Sequence, residues 1–147
     1  MTSAPPAAAA TQPQRPGLAV GDALPALSIP AISRTTLALF AGASGDHNPI
    51  HIDLDVARSA GLEDVFAHGM LSMAYLGRLL TGWVPAEAIR SYRVRFTAIT
   101  PVLAEPTCTG TVTAINVVDG ERQATISLAV TLPDGTATLT GDAVVAL

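Results

Sequence analysis

Hydrophobic positions along the chain keep two different rhythms, and the change between them falls near residue 88. In the earlier part they recur three and four apart, the period of an amphipathic helix. The run RTTLALFAGAS sets Leu37, Phe40 and Ala41 at helical spacing behind Ser33, whose hydroxyl can cap free amides, and predicts a helix over 34–43. The run HGMLSMAYLGRLLTGW spreads Met70, Leu71, Met73, Ala74, Leu76, Leu79, Leu80 and Trp83 over most of its circumference, with Arg78 as its one charge. It predicts a helix enclosed by the rest of the protein. Between these runs GDHNPIHID holds Gly45, Asn48 and Pro49, none suited to a helix interior, so it reads as a shaped loop with Asp53 capping a short helix over 54–60.

Beyond residue 88 the period shortens to two. Tyr92, Val94, Phe96 and Ala98 alternate with Arg93, Arg95 and Thr97. Thr fills the odd positions of 107–113, apolar residues hold the even positions of 124–132, and Ala, Leu, Gly, Ala, Val and Leu stand at the odd positions of 137–147. These are half-buried antiparallel strands, and Asp119-Gly120 and Pro133-Asp134-Gly135 supply the hairpin turns of a C-terminal meander. An earlier strand is expected over 26–29, in a segment broken by Gly21, Asp22 and Pro25. The pattern defines an α+β fold in which a sheet of four or five strands wraps one buried helix.

The length of 147 residues fits one domain. Its first part, MTSAPPAAAATQPQRP over 1–16, reads as a disordered Ala/Pro-rich tail without the basic start or hydrophobic stretch of a secretion signal, leaving 17–147 as the folded domain. Charged residues are 14% and hydrophobic residues 49%, so charge is sparse and part of the surface is expected to be covered by another copy or another subunit. All eight basic residues are Arg; the absence of Lys excludes Schiff-base chemistry and a P-loop. A net charge of −4 without a basic run argues against nucleic acid as a partner. The longest apolar run, interrupted by Arg78, falls short of the ~20 residues that span a bilayer, so no membrane partner is expected. Cys108 is the only cysteine, which excludes an internal disulfide and fits a reducing cytoplasm.

The chemistry-bearing residues are concentrated. His47, His51 and His68 are the only histidines and stand close to Asp46, Asp53 and Asp55. Pro49 constrains the backbone between Asp46 and His51, so the two side chains can be turned toward one point. A carboxylate beside an imidazole can bind and polarise one water molecule, a pairing suited to adding or removing water. Gly69 falls where the long helix begins; its amide can meet a carbonyl oxygen closely and stabilise negative charge developing there.

The segment FAGASGDHNPIHID resembles the signature of the MaoC-like dehydratases, the (R)-specific enoyl-CoA hydratases or hydratase 2 family, with Gly45, Asp46, Asn48, Pro49 and His51 at the family's spacing. AHGMLSMAYL and SYRVRFTAITPV resemble its later segments, so the likeness extends over 17–147. The detailed pattern is also similar to the catalytic subunit of mycobacterial-type (3R)-hydroxyacyl-carrier-protein dehydratases, which pairs with a non-catalytic partner. The resemblance implies a single hot-dog domain that pairs with another hot-dog, and reversible hydration of trans-2-enoyl thioesters to (R)-3-hydroxyacyl thioesters. By position, Asp46 and His51 become the catalytic dyad, Gly69 the oxyanion amide and Asn48 the residue that holds the loop. The implied partners are an acyl-CoA or acyl-carrier-protein thioester and a second hot-dog, as homodimer or heterodimer. His47 departs from the family, where many members carry an apolar or aromatic residue.

Other readings stand beside these. As metal ligands His47 and His51 would align only on a helix, which Pro49 opposes, so no metal is expected, and the reaction needs no cofactor. His68 is expected to fix the turn into the helix through backbone hydrogen bonds, and counts with Asn48, Met70, Arg93 and Arg95 among candidate substrate-binding residues. Arg90, Arg93 and Arg95 either meet the phosphates of coenzyme A or an acidic carrier protein, or are solvated strand-edge charges. Met70, Met73 and Tyr75 could line an acyl tunnel, with core packing as the default. Cys108 is expected to pack as a small apolar group. A hot-dog thioesterase is the rival enzyme, but such enzymes commonly use a carboxylate on the central helix, and 70–83 contains none. A non-catalytic stabilising subunit is the rival of another class, opposed by the presence of both Asp46 and His51.

Overall fold

A computed structural model describes residues 17–147; the tail expected over 1–16 lies outside the described residues. Ser33 caps helix α1 (Arg34–Ser44) by accepting from the Thr36 amide at 3.1 Å. Gly45, at φ +77°, closes α1 with its own amide on the Ala41 carbonyl. This left-handed backbone costs Gly little, and it turns the chain sharply away from the helix axis. A single 3-10 turn (Pro49–His51) follows, then α2 (Leu54–Ser59), capped by the Asp53 carboxylate on the amides of Asp55 and Val56. Helix α3 (Gly69–Thr81) is the longest.

The sheet contains β1 (Leu27–Ser28), β2 (Ile89–Phe96), β3 (Thr107–Val118), β4 (Glu121–Thr131) and β5 (Ala137–Ala146), antiparallel throughout, in the order β1-β3-β4-β5-β2. The expected α+β hot-dog architecture and the meander are therefore present. Asp119 and Gly120 both have positive φ, 50° and 81°, the geometry that joins β3 to β4 in a tight hairpin. Strand β1 is reduced to two residues between Pro25 and Pro30, although the chain before it still hydrogen-bonds to β3 through Gly21 and Leu24.

Leu71, Leu76, Leu79 and Leu80 of α3 pack with Val112, Ile126, Leu128, Val130 and Leu139 of the sheet in one core. Two expectations are corrected here. Helix α3 is not enclosed on all sides: Met70, Ala74 and Arg78, one helical turn apart, face solvent in the isolated chain, because the sheet covers only part of the helix. Met70 is 54% exposed and is no core residue. Strand β2 stops at Phe96 rather than continuing through Ala98, since the amides of Thr97 and Ala98 both turn to the Thr138 carbonyl and end the ladder. The following loop is tied down by the Ala67 amide on the Thr100 carbonyl and by a buried Ser72–Thr100 hydroxyl pair.

Candidate active site

The bend between α1 and α2 delivers Asp46 and His51 by local hydrogen bonding. The Asn48 amide donates to the Asp46 carboxylate at 3.3 Å, while the Asn48 side chain accepts from the Ile50 amide and caps the 3-10 turn. Asn48 thus shapes the loop that presents both neighbours. Ser44 contributes too, accepting from the Asp46 amide at 3.2 Å.

His51 is 8% exposed. Its Nδ1 lies 2.8 Å from the Phe66 carbonyl, and a carbonyl can only accept, so Nδ1 donates and in the neutral ring the lone pair is on Nε2. This is the tautomer a general base requires. The Phe66 ring meets His51 edge-on at 4.7 Å between centroids. His68 is completely buried, with Nε2 donating to the Asp46 carbonyl at 3.2 Å. It therefore anchors a loop 22 residues earlier and makes no side-chain cap on α3. Burial and the neighbouring charge of His51 push its pKa down, so His68 stays neutral.

One ligating atom each from Asp46, His51 and His68 lies within 4.8 Å of the others, while His47 is exposed and outside this group. The donor types suit zinc, but the two imidazoles stack with centroids 4.0 Å apart and a 30° tilt, and the nitrogen of His68 not bonded to a carbonyl is buried without a partner. The arrangement suits a water held between a carboxylate and an imidazole better than a metal ion. Asp53 and Asp55 serve α2 and do not enter the group.

Gly69 is the first residue of α3, where a helix leaves its amides without intrahelical partners. A Cβ at this position would lie 2.8 Å from the Phe96 ring, so Gly is required for that ring to lie against the helix start. Beside it opens an apolar cavity of about 330 Å³, lined by Phe66, Gly69, Phe96, Ile99 and Leu139 among others. Phe96, Phe66 and Ile99 were not singled out as site residues; the period-two pattern sets Phe96 on the apolar side of β2, yet it is half exposed in the isolated chain. Met70 borders the same helix start and is open to solvent, whereas Met73 and Tyr75 are partly buried against the core.

The arginines divide. Arg90 pairs with Glu121, and Arg93 is a cross-strand partner of Asp142 at 2.9 Å. Arg95 is exposed and has no ion-pair partner among the described residues. Arg93 and Arg95 line a separate open depression with Thr140 and Asp142, on strands β2 and β5. Cys108 is fully buried, and burial pushes its thiol up to about 11, so it packs as an apolar group.

A five-stranded antiparallel sheet packed on one long helix is the hot-dog architecture, and the bend between α1 and α2 groups a carboxylate with two imidazoles. The chain belongs to the MaoC like domain family, whose profile matches residues 18–133. It is 31% identical over 114 residues to an (R)-specific enoyl-CoA hydratase of Rhodospirillum rubrum, covering 78% of each chain. The structure of an (R)-hydratase from A. caviae involved in PHA biosynthesis superposes with a TM-score of 0.80 at 29% identity, covering 90% of this chain and 98% of that one. The ChsH1-ChsH2 complex from Mycobacterium tuberculosis contributes a chain with a TM-score of 0.76 at 25% identity, covering 88% and 98%. No described helix is long and apolar enough to cross a membrane.

Proposed function

We propose that this protein is a hydro-lyase that reversibly hydrates trans-2-enoyl thioesters to (R)-3-hydroxyacyl thioesters. The observation that carries the reading is the grouping of Asp46 with His51 within 4.8 Å, His51 Nδ1 being turned to the carbonyl of Phe66, a residue that lines the apolar cavity together with Gly69. In the hydration direction Asp46 and His51 hold a water; His51 Nε2 takes its proton as the oxygen attacks C3. The Gly69 amide stabilises the enolate oxygen of the thioester, and the proton returns to C2. Asn48 keeps the loop in shape, and Met70, next to Gly69 in the chain, offers an exposed apolar side chain to the acyl group. These groups complete the step without a metal or a redox cofactor.

The substrate is a thioester of coenzyme A or of an acyl-carrier protein, and Arg95, with Arg93 beside it, supplies positive charge for the carrier's phosphates. A second hot-dog, the same chain or a different one, covers the solvent-facing apolar residues Met70, Phe96 and Ile99, which are 54%, 51% and 49% exposed. The complex of two named chains among the structural relatives supports such pairing. The single thiol, Cys108, suits the reducing cytoplasm as the site of action.

The test is loss of the enoyl-thioester absorbance when the purified chain meets crotonyl-CoA and a long-chain enoyl-CoA, with thiol release followed in parallel. Loss of the band without free thiol is expected. Free thiol with the band's acyl group hydrolysed would instead identify a thioesterase, and silence in both readouts directs the search to a carrier-protein substrate or a second subunit.

A further inference from the structure

We propose that His68 is a positioning residue for the acid–base pair: it ties down the main chain of Asp46 and backs the imidazole of His51, so that carboxylate and base stay turned toward each other. This role rests on the reading of Asp46 and His51 given above. His68 is fully buried, which is a costly place for a ring with two polar nitrogens. One nitrogen, Nε2, is used on the Asp46 carbonyl; the other, Nδ1, is buried with no partner at all. An aromatic or aliphatic side chain would fill this space without an orphaned nitrogen, so the imidazole is not there for stability. What distinguishes His68 from a space-filling ring is the bond across 22 residues to the backbone of Asp46 and the face it offers to His51, centroids 4.0 Å apart. Phe40 meets His68 edge-on at 5.0 Å and holds the ring in that orientation.

The two carbonyl acceptors give the stacked rings opposite tautomers. His51 keeps its proton on Nδ1, facing Phe66, and His68 keeps its own on Nε2, facing Asp46. Of the two stacked rings only His51, through Nε2, can offer its lone pair to a substrate water, because Nδ1 of His68 is sealed from solvent. His68 also stays neutral beside His51, so the proton taken by His51 remains where C2 can receive it.

Three preparations test this with crotonyl-CoA: the parent chain, His68→Phe, which keeps the ring and loses the donor, and His68→Gln, which keeps an amide donor at similar reach and loses the ring. His68→Phe is expected to lose about 100-fold in kcat with KM unchanged within about threefold, and His68→Gln to recover about tenfold of that loss. Imidazole nitrogen NMR of the parent is expected to report Nδ1–H for His51 and Nε2–H for His68. A His68→Phe kcat within about threefold of the parent, a His68→Gln variant no better than His68→Phe, or the reverse tautomer at His68 would each overturn the role. Should His68→Phe fail to fold by circular dichroism, His68→Gln and the nitrogen spectrum decide, since kcat within about tenfold of the parent is expected and a loss of about 100-fold contradicts it. A parent chain inert toward every enoyl thioester overturns the functional reading, whereas an active parent with the reverse tautomer at His68 or an unaffected His68→Phe overturns the positioning role alone, so the two failures are told apart.

Discussion

The meander of β3, β4 and β5 and the bend between α1 and α2 are built by opposite means. In β4, at the centre of the meander, each residue's environment follows from its parity: Ala124, Ile126, Leu128 and Val130 are all buried, and Thr125, Ser127 and Ala129 between them are not. The backbone pairs with itself, and the side chains have only to be apolar and of the right size. In the bend, by contrast, hardly any backbone pairing is regular, and side chains and carbonyls do the organising: Asn48 and Ser44 shape the loop, Phe66 sets the tautomer of His51, and His68 reaches back to Asp46. The lesson is a separation of duties. The periodic part buries the core, whereas the candidate acid–base residues stand where periodicity fails.

That separation can be broken most severely at the dyad. Asp46→Asn or His51→Ala is expected to lower kcat by about 1,000-fold or more while the circular dichroism spectrum and the melting temperature stay close to the parent's. Retention of activity within about tenfold would remove both residues from the mechanism. The reverse profile is expected in the meander: Ile126→Ala, at a fully buried position, should cost about 3 kcal/mol in denaturant unfolding and leave kcat of the folded fraction unchanged.

A smaller effect is expected where the two regions meet. Gly69→Ala drives a methyl into the Phe96 ring, which is half exposed and can swing aside, so stability should change by no more than about 1 kcal/mol. The displaced ring and the added methyl crowd the amide, and kcat is expected to fall about tenfold, as read from steady-state kinetics.

The smallest effect belongs to the surface. The Arg90 guanidinium, hydrogen-bonded to Glu121, holds that carboxyl down at about 2 against an ordinary 4.5. A depressed acid contributes stability above its unfolded value, and that contribution is lost as pH falls from 4.5 toward 2. Glu121→Gln should therefore lower the melting temperature slightly at neutral pH, flatten its fall over that acid window, and leave activity untouched. The pair is solvent-exposed, so the shift is expected to shrink with added salt.

How much of this could be read from the chain follows the same division. Helix caps at Ser33 and Asp53, the hairpin turn at Asp119-Gly120 and the inward parity of β4 depend on near neighbours, and each stands where the pattern puts it, whereas β5 also buries Thr138 and Ala146 on the other parity. The grouping of Asp46, Asn48 and His51 was legible because one short loop carries all three. What was not legible depends on contacts between distant segments. The Phe66 carbonyl carries no side-chain signal, the Phe96 ring lies on a glycine 27 positions earlier in the chain, and the His68 bond to Asp46 spans 22 residues. The exposed line of Met70, Ala74 and Arg78 on α3 escaped the pattern for a related reason: an apolar helix face looks the same whether a sheet or a second protein chain covers it.

The most direct test of the central claim is the fate of one oxygen atom. Crotonyl-CoA is incubated with the protein in oxygen-18 water, and the product is separated by chirality and weighed by mass spectrometry. Addition of a water held by Asp46 and His51 predicts one labelled oxygen in the 3-hydroxyl group of the (R)-isomer alone, with no labelled product from Asp46→Asn or His51→Ala. Label in a freed carboxylate, formation of the (S)-isomer, or undiminished labelling by either variant would contradict it.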